Sequence, residues 1–219
     1  MNKMTPAFWD DVKVGDVVQM MDEQALEDSR KRGNGLNPID YTVGEVRTIG
    51  EVTGLGTWMM YRLDDPGQQT LWLVLKIVDE LMDVRVYYTP DEDFTPNNRD
   101  TLVNEGKIWM LDTTQGLPIM DALFAPSIAY VEKHDDGSEI SLNYIRKTST
   151  LTAEMAIDPP PAGLPLRMMT LVTEYNTSQS CLNPELLVLE VGDDEQQGGL
   201  MQLFLGANLG EADFAVLKR

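Results

Sequence analysis

Apolar residues in this chain come in short runs, some alternating with polar residues and some unbroken, and acids or glycines close them. The clearest are Leu73-Val74-Leu75-Lys76-Ile77-Val78-Asp79-Glu80 and Leu187-Val188-Leu189-Glu190-Val191-Gly192-Asp193-Asp194. A second apolar run follows each of them, Val84-Arg85-Val86-Tyr87-Tyr88 and Leu200-Met201-Gln202-Leu203-Phe204-Leu205. Short apolar runs bounded by turn residues predict strands, and paired runs joined by acids predict β-hairpins. One such hairpin in each half suggests two β-modules in tandem, either a structural duplication or the chance likeness of β-rich sequence. Alternation puts Leu73, Leu75 and Ile77 on one face, and Leu187, Leu189 and Val191 on another. These six are expected to face the core.

Elsewhere the same pattern predicts more strands and little helix. Phe8 and Trp9 with Val12, Val14, Val17 and Val18 predict a first strand, with a turn at Lys13-Val14-Gly15-Asp16. Residues 21–32 are the best helical segment, and Gly33-Asn34-Gly35 ends it. Asn37-Pro38 prevents its continuation. From Tyr41 the chain reads as short strands at 41–43, 46–49, 58–63, 70–78 and 84–88. Gly54-Leu55-Gly56 and Asp64-Asp65-Pro66-Gly67 punctuate them, which predicts a small antiparallel barrel or sheet.

Residues 89–98 hold prolines and acids and read as a linker. Beyond it come a strand at 108–111, one or two helical turns within 117–124, and strands at 127–133 and 139–146. His134-Asp135-Asp136-Gly137 lies between the last two, and Asp-Gly suits a hairpin because it tolerates positive φ. Strands at 148–157, 166–175, 185–191, 200–205 and 214–217 complete the chain, with Pro159-Pro160-Pro161 as a stiff extended segment. The expected class is mainly β (α+β), with minor helix. The expected division is an N-terminal β-module over 1–92, a linker over 93–104 and a C-terminal β-module over 105–219.

With 219 residues, 42% hydrophobic and 24% charged, the chain suits one large globular domain or two small ones. Modules of roughly 100 residues are individually marginal and gain stability by burying an interface. Seventeen Lys and Arg against 36 Asp and Glu give a net charge of −19, which repels phosphates and anionic headgroups. The densest basic cluster, Arg30-Lys31-Arg32, does not offset that field. Nucleic acid is therefore not an expected partner. Cys181 is the only cysteine, so no intrachain disulfide can form. The N-terminal residues lack the apolar core of a signal peptide, and no apolar run approaches the roughly 20 residues of a membrane helix. A soluble, cytoplasmic protein without membrane insertion is expected.

The residues that carry chemistry are sparse. His134 is the only histidine and sits at a turn, where an imidazole is solvated and lacks the rigid carboxylate partner of a triad. Cys181-Leu182-Asn183-Pro184 offers no base to lower the thiol pKa, so Cys181 is expected to be a small packed residue. One Cys and one His do not build a usual zinc site. Asp91-Glu92-Asp93 and Asp193-Asp194-Glu195 lack the alternating spacing that aims several oxygens at one calcium or magnesium ion. Gly54-x-Gly56 is not followed by the third glycine and helix of a dinucleotide loop. No catalytic, cofactor-binding or metal-binding residue is assigned. The most distinctive local feature is Tyr61-Arg62-Leu63-Asp64-Asp65 with Gln68-Gln69. On a strand Arg62 and Asp64 share a face, and Arg62 can pair with Asp64 or a cross-strand acid. Arg62, Asp64 and Asp65 form the candidate interaction surface.

Gly15-Asp16, the segment from Tyr61 to Asp65 with Gln68-Gln69 and Leu71-Trp72, and Glu185-Leu186-Leu187-Val188 occur in that order. In this the chain resembles the uncharacterised bacterial family typified by YjfK, over nearly its whole length. The resemblance implies an accessory role in an envelope-associated system, because genes of that family lie near one for a PspA-like membrane-remodelling protein. It transfers no catalytic residue. The expected function is a non-enzymatic cytoplasmic module that binds another protein. The alternative is a carboxylate-based hydrolase or small-ligand binder with its site in a cleft between the modules.

Overall fold

The computed structural model describes residues 5–21, 23–24, 26–27, 40–54, 56–64, 71–88, 101–104, 107–111, 127–133, 137, 139–147, 151–160, 167–176, 184–191, 200–210 and 214–219. Strands dominate them, as the apolar pattern predicts. A helical turn α1 (Pro6–Trp9) precedes β1 (Val17–Met20), β2 (Asp40–Glu51), β3 (Thr57–Asp64), β4 (Leu71–Val78) and β5 (Leu81–Tyr88). Next come β6 (Thr101–Asn104), β7 (Lys107–Leu111), β8 (Ser127–Lys133), β9 (Glu139–Arg146), β10 (Leu151–Asp158) and β11 (Arg167–Asn176). The last are β12 (Pro184–Val191), β13 (Leu200–Gly210) and β14 (Phe214–Leu217). Glu23, Gln24, Leu26 and Glu27 are helical within the predicted 21–32 segment, whose residues 28–32 lie outside the described set.

Contacts divide the chain into two units. The first takes residues 1–89, 153–168 and 206–219, and the second takes 90–152 and 169–205. The first thus draws two later stretches onto the N-terminal strands. β10 pairs antiparallel with β2, with Met155 opposite Ile49, and β14 pairs antiparallel with β1, with Phe214 opposite Met20. In the second unit β6, β7, β8 and β9 follow one another as an antiparallel meander, and β11 lies beside β9 and β12. β6 occupies the last residues of the stretch that reads as a linker. Tyr144, Val172, Tyr175, Leu187 and Phe204 are buried there.

In the first unit the strand order β14-β1-β2-β3-β4-β5 places the apolar runs side by side. Met59, Tyr61 and Leu63 of β3 pack with Leu71, Leu73 and Leu75 of β4 and with Val84 and Val86 of β5 in one buried cluster. Leu73 and Leu75 are fully buried and Ile77 packs at the margin, as alternation predicts. The opposite face of the same strands is also buried, at Trp58, Met60, Trp72, Val74, Arg85 and Tyr87. A strand covered on both faces needs no polar alternation, which is why β4 begins as an unbroken apolar run.

The β4–β5 hairpin closes on two residues, since Val78 pairs with Leu81. Both loop residues have positive φ, 49° at Asp79 and 67° at Glu80. That is the primed turn whose twist matches the flanking strands, and Asn-Gly or Asp-Gly is its preferred filling. A glutamate there carries the left-handed strain of a Cβ. Glu80→Gly should therefore raise stability by about 1 kcal/mol, read as a higher urea midpoint with unchanged m-value. A lower midpoint would show that the Glu80 side chain makes a compensating contact.

Of the predicted first strand, Val17 and Val18 lie in β1, but Phe8 and Trp9 do not belong to it. Pro6 opens a helical turn, with its ring at the first helical position where no N–H is needed. Trp9 then enters the core, and its carbonyl accepts from Tyr61 Oη at 2.8 Å and from the Val12 N–H at 3.0 Å. The Lys13–Asp16 turn does form, with Gly15 at φ 93°. Asp16 joins it to the end of the chain. Its carboxylate accepts from the Lys13 N–H at 2.9 Å and the Arg219 N–H at 3.0 Å.

Burial alone would raise the pKa of Asp16, but those two donors and the charges of Lys218 and Lys13 outweigh it, and the group is held below its ordinary 3.8. A depressed native pKa stabilises the fold above 3.8 and loses that contribution as pH falls through the native value. Asp16→Asn should cost about 1 kcal/mol at neutral pH. The gap from wild type should close in denaturation series carried below pH 3.8. A gap that stays constant into acid would sink this account.

Candidate functional site

Arg62 and Asp64 come together as the sequence predicts, and two further residues join them. Arg62 donates from Nε to Asp64 Oδ1 at 2.9 Å and from Nη1 to Glu45 Oε2 at 3.0 Å. Glu45 in turn accepts from Arg47 Nε at 2.6 Å, and the Arg47 guanidinium lies 4.5 Å from the centre of the Trp72 ring. The result is a line of alternating charge across β2, β3 and β4, ending on an aromatic face. Asp65 lies outside the described residues, as do Gln68, Gln69, His134, Cys181 and both acid clusters.

A β-bulge makes this line possible. In β2 Tyr41 and Val43 face the core, and the register then slips between Val43 and Glu45 as β2 pairs with β3. Gly44 is the extra residue. Beyond it the alternation reverses, so Val46 packs on the core while Glu45 and Arg47 take the other face. Glu45 then stands opposite Arg62, which itself stands opposite Trp72 on β4. Gly44 is bare for a second reason. A Cβ there would overlap the Asp64 carboxylate, with Arg62 Nη2 only 2.6 Å away.

Exposure grades along the line. The Arg47 side chain is 10% exposed and Glu45 15%, against 33% for Arg62 and 51% for Asp64. The buried end is structural: a desolvated guanidinium on an indole face contributes more than one in water. The Arg62–Asp64 end meets solvent, where an ion pair alone contributes under about 1 kcal/mol. Its worth is positional. With Nε and Nη1 engaged, Arg62 is fixed in place and still has N–H donors on Nη2.

The sequence does not mark Glu45 and Arg47 as members. Gly44 between Val43 and Glu45 is the available signal, since a glycine inside a strand pattern marks a bulge. Among the described residues no group of three or more His, Cys, Asp or Glu is placed to hold a metal ion. No described helix is long and apolar enough to cross a membrane. Comparison of the chain with protein-family models, with curated proteins and with solved structures finds no match.

Proposed function

We propose that this chain is a non-enzymatic protein-interaction module of the cytoplasm, accessory to an envelope-associated system of the PspA-like kind. Arg62 and Asp64, with the neighbouring Asp65, lie on its contact surface. One observation supports this reading above the others. The Arg62 guanidinium is half-exposed, yet two neighbouring carboxylates hold it in a single orientation on a sheet buried on both faces. A donor fork fixed in this way loses little entropy when it meets a partner's carboxylate or carbonyl.

The test is co-purification of the tagged chain with the PspA-like protein of its host, comparing wild type with Arg62→Ala. Wild type should retain the partner. Arg62→Ala should retain about tenfold less while unfolding at nearly the same temperature. Retention should also weaken as salt rises above physiological ionic strength, because the surface acts through charge. Equal retention by the variant would remove Arg62 from the interface. A turnover abolished by His134→Ala or Cys181→Ser in a folded protein would overturn the non-enzymatic reading.

A further inference from the structure

The geometry points to a second docking surface, at the tips of the β2–β3 and β4–β5 hairpins, that takes a basic amphipathic segment of a partner protein. It rests on the reading of the chain as an interaction module but lies at the opposite end of β3 from Asp64. The two tips are neighbours. Thr57 of β3 pairs with Ile77 of β4, and a Cβ on Gly56 would lie 3.6 Å from a Val78 methyl. Two of the largest apolar exposures in the described chain occur here, with Leu81 75% exposed and Val52 62% exposed.

Register explains why this end is apolar on both sides. Alternation carries Ile77 and Met82 to the core face, where they pack at the margin of the buried cluster. It carries Val78 and its cross-strand partner Leu81 to the other face. On the core face the hydrophobic interior therefore runs out to the tips, while on the other face the Lys76–Asp83 step separates Val78 and Leu81 from buried Val74. Single exposed apolar residues are ordinary, but Leu81 stands beside Val78 and next to a core margin, and such a cluster marks a contact surface.

Charge selects the occupant. Asp79, Glu80 and Asp83 are exposed around these residues, and of the three only Asp83 takes part in an ion pair among the described residues. Two cations reach this end. Lys76 stands opposite Asp83 and lies 5.4 Å from the Trp58 ring, and the buried Arg85 donates to Asp83 at 3.4 Å. That leaves Asp79 and Glu80 as the open acids of the rim. An apolar centre with an acidic rim, on a chain of net charge −19, fits an apolar stripe flanked by Lys and Arg. The same rim repels an anionic lipid surface and a second copy of this acidic chain.

A synthetic Leu/Lys peptide of helical apolar period, labelled for anisotropy, is the probe, and its Leu/Glu counterpart is the control. The full chain should bind the first and not the second. Val52→Ser with Leu81→Ser should weaken binding at least about tenfold. Both positions are exposed, so folding should survive. Asp79→Asn with Glu80→Gly installs the preferred turn while removing both charges, and should weaken binding and flatten its salt dependence. Arg62→Ala should leave peptide binding unchanged, which separates this surface from the Arg62 interface. Binding indifferent to the Val52 and Leu81 changes would be mere attraction to net charge and would overturn the proposal. So would self-association of the chain, or binding to phosphatidylglycerol vesicles, that the Leu81 change abolishes.

Discussion

Leu75→Ala should destabilise the protein by about 2–5 kcal/mol, while Leu81→Ala, on the adjacent strand, should cost under about 0.5 kcal/mol. The chemistry of the two changes is the same and only the surroundings differ. Leu75 is fully buried, with Met59 and Val84 opposite it on the flanking strands, whereas Leu81 is 75% exposed. Removing the Leu75 side chain loses its transfer free energy and leaves a cavity. Strands on both sides and cover on both faces resist collapse into that cavity, which favours the upper part of the range. Urea denaturation of the two variants decides it. Similar losses at the two positions would mean that the first unit does not close around β4 as described.

That core was legible because burial on both faces leaves a plain mark, an unbroken apolar run ended by turn residues. Leu71 to Leu75 show it, and the two-residue acidic turn after Val78 sets the hairpin register. Long-range pairing leaves no such mark. β10 and β14 join β2 and β1 across more than a hundred residues of chain, and their own sequences say only that they are strands. A linear division at a proline-rich linker is therefore the natural reading of the sequence, although residues 153–168 and 206–219 pack with the first unit. Gly206 shows how tight one of these returns is. A Cβ there would run into the Val86 carbonyl and come within 2.8 Å of Tyr87 Cα, which no rotamer change can relieve. Before the structure, Gly206 is one glycine among 17.

The candidate site was half legible. Arg62 and Asp64 are two apart on a strand, so their shared face follows from alternation alone. Glu45 and Arg47 join them because Gly44 reverses the alternation of β2, and a reversal of one residue moves every later side chain to the other face. The reading of 41–43 and 46–49 as separate strands placed the interruption correctly but not its nature. It is a bulge in one strand, and the bulge is what aims Glu45 at Arg62.

Trp9→Ala is expected to cost about 3–5 kcal/mol, the range for removing a large buried aromatic side chain. Trp9 comes from a helical turn too short to be stable alone, so its place depends on tertiary contacts. Those contacts are with the core itself. The indole is 1% exposed, with ring centres 5.4 Å from Tyr61, 6.1 Å from Phe214 and 5.8 Å from Phe8. Aromatic pairs at such separations contribute about 0.5–1.5 kcal/mol beyond burial, so a Trp9/Tyr61 double-mutant cycle should show coupling of that size. Trp9→Phe isolates the packing term. The indole Nε1 has no hydrogen-bond partner among the described residues, so this change gives up volume and no bond. It should cost less than half of the Trp9→Ala loss. Tyr61→Phe, in contrast, removes the hydroxyl that donates to the Trp9 carbonyl and should cost about 1 kcal/mol. Urea midpoints of the three single variants and of the double-mutant cycle give each term. A Trp9→Ala loss below about 1 kcal/mol, under the range for a buried large-to-small change, would mean that the N-terminal turn is not part of the core.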